Sequence, residues 1–310
     1  MTTDSFILPR DGVSLFIHRF LPSDGKEPTA IVQIAHGMAE HAARYERFAG
    51  ALTSAGYAVY ANDHRGHGRT AADADLGHFG DEDGWGKMVG DLCALADHLR
   101  ATHPGKKLYL FAHSMGSFLA LDALVHRGAA NESGRWDKVV LSGSDAPGGA
   151  LPAAGRQAAK LERLRQGKRG KSALLSFLSF GSFNGPFKPA RTPFDWLSRD
   201  PLEVDKYVAD PHCGFRVTNQ SWVDFLGGLI AIGKDGYGGV RPKTLPILIF
   251  SGQRDPVGKA GEGVKKLVEQ LRDGGLTEVT ERLYPEGRHE MLNETNRDEV
   301  TRDVLAFLAR

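Results

Sequence analysis

The chain has 310 residues, 41% of them hydrophobic, enough to build one large domain with room for an insertion. Its 39 basic and 38 acidic side chains leave a formal net charge of +1, which excludes a global field drawing it to nucleic acid or to an anionic membrane. No apolar run reaches the roughly eighteen residues of a membrane-spanning helix.

Two cysteines, Cys93 and Cys213, are too few for a disulfide framework, and Cys93 falls inside a helical pattern as a small core residue would. The amino terminus, MTTDSFILPRDG, lacks the basic-then-apolar order of a secretory leader. The expected location is therefore the cytoplasm.

Taken in chain order, residues 6–8 and 15–20 flank Asp11-Gly12 and read as an antiparallel hairpin. Apolar runs at 30–35, 57–61, 108–111, 139–142 and 247–250 read as buried parallel strands, with 280–284 as a last strand. Between them, helical periodicity covers 44–55, 85–102, 115–126 and 264–271, and a terminal helix covers 296–308. The alternation predicts an α/β fold with a mostly parallel, doubly wound sheet.

One interval breaks the rhythm. Residues 146–243 separate two core strands where a single crossover needs only about a dozen. They read as an inserted helical cap, leaving 1–145 and 244–310 as the two parts of the core. Gly148-Gly149 and Pro152 punctuate the start of the cap, and Arg241-Pro242 its end. Within it, Trp222, Phe225, Leu226 and Leu229 share one helix face. Its basic stretch, 156–171, is read first as a solvated helix face and second as a contact for anionic lipid. The apolar stretch 173–187 is read as a lid over an acyl pocket rather than as cap core.

Chemistry concentrates at LYLFAHSMGSFLALDAL, where a strand-forming run meets a helical pattern at Ser114. Strand, sharp turn and helix make a nucleophile elbow, which needs small residues two positions before and after the serine. Ala112 and Gly116 fill those positions. A serine hydroxyl needs a base to take its proton, and the base needs a third group to hold its tautomer. Asp255 in SGQRDPVG and His289 in PEGRHEML each follow a predicted strand, where open α/β sheets place their ligands. Asp255 also reads as a turn former before Pro256; Asp205 and Asp210, inside the cap, are weaker rivals for the acid. For the oxyanion hole, the N–H of Met115 and that of Met38 in HGMAEH are the candidates.

HGMAEHAARY, NDHRGHGRT, AHSMGS, SGQRDPVG and RHEMLNE together resemble the monoacylglycerol lipase and lysophospholipase branch of the α/β-hydrolases, over residues 36–294. The resemblance implies the α/β-hydrolase fold with a cap, a Ser114, Asp255 and His289 triad, an oxyanion hole of Met38 and Met115, and no cofactor. It also implies that Glu40 and Arg44 lie near the polar head of a small acyl ester or lipid substrate. Three departures stand out: Ala112 replaces the elbow's first glycine, Ser117 replaces a following glycine, and Leu292 is apolar where mammalian members carry a polar residue.

Other motifs fail. HEMLN has Asn293 where a zincin needs its second histidine, and GKRGKS has Arg165 where a phosphate loop needs its first glycine. His36, His41, His64 and His67, in glycine-rich loops, are expected to hold those loops together by hydrogen bonds, and Asp63 to stabilise its turn. The expected activity is hydrolysis of a carboxylic ester through an acyl-enzyme. A thioesterase, acyltransferase or aminopeptidase on the same triad stays open, as does a non-catalytic binder of this fold. The oligomeric state is left open.

Overall fold

In the computed structural model, which describes residues 1–23, 25, 27–127 and 134–310, alternate residues of the central strands serve two different hydrophobic layers. Chain order gives β1 (Thr2–Arg10), β2 (Val13–Leu21), β3 (Ala30–Ala35), β4 (Tyr57–Asn62), β5 (Lys107–His113), β6 (Lys138–Ser142), β7 (Ile247–Gly252) and β8 (Val279–Tyr284). The sheet runs β1-β2-β4-β3-β5-β6-β7-β8. β1 and β2 form the predicted hairpin, with Arg10 opposite Val13 and Thr2 opposite Leu21. β2 is antiparallel to β4, and the remaining pairs are parallel.

Every residue of β3, β4 and β7 is buried, as a parallel sheet covered on both faces requires. Side chains alternate across a strand, so Ile31 and Ala35 face one layer while Val32 and Ile34 face the other. The first layer is closed by α2 (Gly84–Thr102), α3 (Met115–His126) and α8 (Glu262–Asp273). The second is closed by α1 (Glu46–Ser54) and α9 (Arg297–Ala309). Gln33 is the polar exception within β3; it donates to Leu92 O at 2.9 Å and accepts from Trp136 Nε1 at 2.9 Å, so its amide is satisfied while buried.

The helix predicted from residue 44 starts differently. A 3-10 turn, Ala42–Tyr45, precedes α1 because the Ala42 N–H is held by Asp63 Oδ1 at 2.8 Å and Tyr45 leaves helical geometry at ψ 6°.

Between β6 and β7 lie α4 (Ala150–Gln166), α5 (Ala173–Ser176), α6 (Pro201–Ala209) and α7 (Asn219–Asp235). Trp222 and Leu229 of α7 are buried, and Phe225 meets Trp85 and Phe118 edge-on at 5.5 and 6.1 Å. The apolar face read from the sequence therefore packs onto α2 and α3. α4 lies along α7, and much of its basic stretch is engaged locally: Arg163 with Gln220, Arg165 with Glu162, Arg156 with Val223 O. The apolar stretch divides after Leu175, which is buried; Phe177 and Leu178 are 66% and 58% exposed, in a π turn Phe177–Gly181. No helix is long and apolar enough to cross a membrane among the described residues.

Candidate active site

Ser114 joins β5 to α3 with φ 51° and ψ −119°, a conformation that costs a non-glycine residue on the order of 1–3 kcal/mol. Its N–H donates to Ser142 O at 2.8 Å, and its carbonyl accepts from the Ser117 N–H at 2.9 Å and the Ser117 hydroxyl at 2.6 Å, so both flanks of the elbow are fixed. A Cβ at position 116 would stand 2.3 Å from Ala35 O, so only glycine fits there. Ala112 is fully buried in register with Ala35 and Leu141, and its methyl is accommodated.

Asp255, fully buried, follows β7. Its Oδ1 accepts the Val257 N–H at 2.9 Å and its Oδ2 the Ser251 hydroxyl at 2.7 Å, while both oxygens lie 3.0 Å from His289 Nδ1. The carboxylate thus both closes its own turn and meets the His289 ring. Of its rivals, Asp205 pairs with Arg191 and Asp210 with His41. Burial works to raise the Asp255 carboxyl, but the His289 charge and the hydrogen bonds hold it below the usual carboxylate value.

With Nδ1–H donated to Asp255, His289 presents Nε2 as its free lone pair. Burial disfavours charge on the ring, yet Asp255 more than offsets this and leaves the histidine pKa raised. The ring lies between Trp196, at 5.0 Å, and His113, at 4.7 Å. His113, pushed down to about 4 by burial and by the His289 charge, adds no cation. Two backbone bonds, His289 N–H to Trp196 O and Glu290 N–H to Leu197 O, pin the histidine loop to the segment between β6 and β7. A Cβ at Gly143 would meet His289 at 2.9 Å and His113 at 3.1 Å. Ser114 Oγ and His289 Nε2 share no hydrogen bond in this structure.

The Gly37 N–H donates to Glu40 Oε1 at 2.5 Å and the Ala39 N–H to His67 Nε2 at 3.2 Å. Between them the Met38 N–H has no partner among the described residues, and the Met115 N–H, at the first turn of α3, has none either. Ser114 Cβ lies 3.2 Å from where a Gly37 Cβ would be, so this loop passes directly over the elbow.

Glu40 is buried beside that loop, and Arg44 is largely covered there. Glu40 also accepts from Tyr45 Oη at 2.9 Å and from Arg44 at 2.5 Å, and Arg44 reaches on to Glu290. Both line a cleft of mixed character with Phe48, His113, Glu290 and Leu292, a cleft whose wall does not include Ser114. His36, His64 and His67 are neutral braces: burial lowers all three, His64 to about 3 and His67 to about 4. His36 bonds Gly37 O and the His64 N–H, and Asp63 accepts from Ala42 and Arg69.

Glu290, Ser251, Trp196 and His113 are contacts of the site that the sequence did not single out. Glu290 adjoins His289 and was legible only as part of a failed zincin pattern. Ser251 lies one turn before Asp255. Trp196 carries no motif. A separate group, His41, Asp210 and Cys213, brings three metal-ligating atoms within 4.8 Å of one another.

A sequence profile of the family described as serine aminopeptidase, S33, matches residues 26–296. A monoacylglycerol lipase of Mycolicibacterium smegmatis is 29% identical over 290 residues, covering 91% of this chain and 89% of that protein. The monoglyceride lipase of Mus musculus is 26% identical over 298 residues, covering 92% and 86%. Among solved structures, a thermostable carboxyl esterase from Bacillus coagulans in complex with glycerol superposes with a TM-score of 0.88 at 28% identity, covering 100% of this chain and 98% of that one.

Proposed function

The chain belongs to the serine aminopeptidase, S33, family of α/β-hydrolases, and from that premise we propose that it is a serine esterase acting on single-chain acyl glycerols or related lipids, of monoacylglycerol or lysophospholipid type. The observation that carries the reading is the pairing of a strained serine elbow with a buried Asp255–His289 couple at 3.0 Å. The named relatives support an ester substrate.

In this mechanism His289 Nε2 takes the Ser114 proton as Oγ attacks the ester carbonyl, and Asp255 stabilises the imidazolium. The Met38 and Met115 N–H groups accommodate the oxyanion. His289 then protonates the departing alcohol, and water repeats the cycle on the acyl-enzyme. Every step uses the chain's own groups. Residues 146–243 serve as the cap, with the exposed Leu174, Phe177 and Leu178 as its contact with lipid aggregates. Glu40 and Arg44 act at the substrate's polar end by holding the loop beneath it.

Peptidase activity is disfavoured by one observation: Glu40, the carboxylate beside the Met38 loop, is spent on Gly37, Tyr45 and Arg44 and is not free to hold a substrate amine. Fluorophosphonate labelling of Ser114 tests the nucleophile. A kcat/KM series over p-nitrophenyl esters of rising chain length, with monoacylglycerol, lysophospholipid, an acyl thioester and an amino-acid anilide alongside, tests the substrate class. Preference for the anilide would overturn the esterase reading.

A further inference from the structure

His41, from the turn after the Met38 loop, faces the insert segment Asp210-Pro211-His212-Cys213. His41 Nε2 lies 2.8 Å from Asp210 Oδ2. The other carboxylate oxygen accepts the His212 N–H at 2.8 Å, and the Cys213 N–H donates to Asp210 O at 3.0 Å. This tight turn presents a carboxylate and a thiol side by side toward the imidazole. The three ligand atoms lie within 4.8 Å of one another, against separations of about 3.3–3.6 Å expected around a tetrahedral zinc ion. To close the set, the 2.8 Å His41–Asp210 pair opens by about half an ångström and the longer separations contract by about an ångström.

We propose that His41 Nε2, Asp210 Oδ2 and Cys213 Sγ bind one thiophilic divalent cation of the zinc class, which clips the insert to the loop carrying Met38. The donor set is the argument: one imidazole, one carboxylate and one thiol select zinc over calcium or magnesium, which take oxygen ligands. On binding, Cys213 loses its proton to solvent and the His41–Asp210 hydrogen bond gives way to two metal bonds, His41 keeping its proton on Nδ1. The charge of Arg44, which faces Cys213 together with Tyr207, is already engaged by Glu40 and Glu290 and so does not dominate the site. The position matters because the residue after Cys213 reaches the elbow loop. The Gly214 N–H donates to Ala39 O at 2.9 Å, and Tyr207 Oη donates to the same oxygen at 2.8 Å. An ion here therefore stiffens the backbone next to Met38.

The test uses the whole chain, demetallated and then titrated with Zn²⁺ by equilibrium dialysis and with Co²⁺ by absorbance. One ion per chain is expected, with a sulfur-to-cobalt charge-transfer band and a raised Tm. Cys213→Ser should abolish the band, and both Cys213→Ser and His41→Gln should weaken binding at least about tenfold. Cys213→Ala replaces the serine variant if the latter does not fold. Absence of binding at a large excess of ion, a cobalt spectrum without the sulfur band, or affinity unchanged in both variants would each overturn the proposal.

Discussion

Arg44 holds Glu290 by two hydrogen bonds of 2.7 Å each, fork to fork, and so ties the turn behind the Met38 loop to the residue that follows His289. The same guanidinium grips Glu40, which in turn accepts the Gly37 N–H. One largely buried cation thus links the Met38 loop to the His289 loop, the two loops that the proposed acyl transfer needs in mutual register. A buried charge is costly unless it is paired, and here two carboxylates share it. Burial works to raise the Glu290 carboxyl, but Arg44 overrides it and holds that carboxyl well below the usual range.

This linkage predicts that Glu290→Gln lowers kcat by on the order of tenfold to a hundredfold while KM changes little, since misplacing a catalytic group by about an ångström costs that much. Arg44→Lys keeps the charge but loses the fork, and it should recover stability without recovering kcat. Steady-state kinetics beside thermal melts separate the two effects. Because the Glu290 pKa is depressed on folding, its stabilisation is complete above the unfolded value of about 4.3 and is lost as pH falls through the lower folded value. The glutamine variant should therefore lose less stability than wild type across that acid window.

Ser114→Ala is expected to lower kcat by roughly four to six orders of magnitude with the melt unchanged or raised, because the backbone strain at φ 51° belongs to the turn and not to the hydroxyl. Activity within tenfold of wild type would remove Ser114 from the mechanism.

A pH profile checks the base. In the proposed mechanism neutral His289 is the active form, and Asp255 raises its pKa, so the acid limb of kcat/KM should fall above the ordinary histidine value of about 6.5. Asp255→Asn removes the charge that raises it; the limb should move to lower pH and the rate should drop by on the order of ten-thousandfold. A profile flat down to about pH 5 would argue for a different base.

If the segment between β6 and β7 meets lipid as proposed, Phe177→Ser with Leu178→Ser should leave turnover of a short, monomeric ester intact and reduce turnover of micellar or vesicle-borne lipid several-fold. Both side chains stand in solvent, and burying such surface in a lipid aggregate is favourable by roughly 1.5–3 kcal/mol per residue. Equal rates on both substrate forms would leave the exposed pair without a role in lipid contact.

The sequence by itself determined the sheet, because burial of a parallel strand on both faces writes an uninterrupted apolar run, and 30–35, 57–61 and 247–250 are such runs. It also determined the elbow, since only small residues at 112 and 116 let the chain turn at Ser114. These are local constraints, each contained within a few consecutive residues. The sequence favoured Asp255 over Asp205 and Asp210 because it follows a core strand; the partners each carboxylate takes, His289, Arg191 and His41, were decided only by the tertiary structure. The resemblance drew Glu40 and Arg44 toward the substrate, but their engagement with Gly37, Tyr45 and Glu290 spans up to 246 positions, and no periodicity encodes a contact of that range. Trp196 belongs to the same class, brought onto His289 by backbone bonds between the insert and the histidine loop. Spacing along the chain records what a residue's neighbours demand of it; ion pairs and ring contacts between distant segments are products of packing and exist only once the layers have closed.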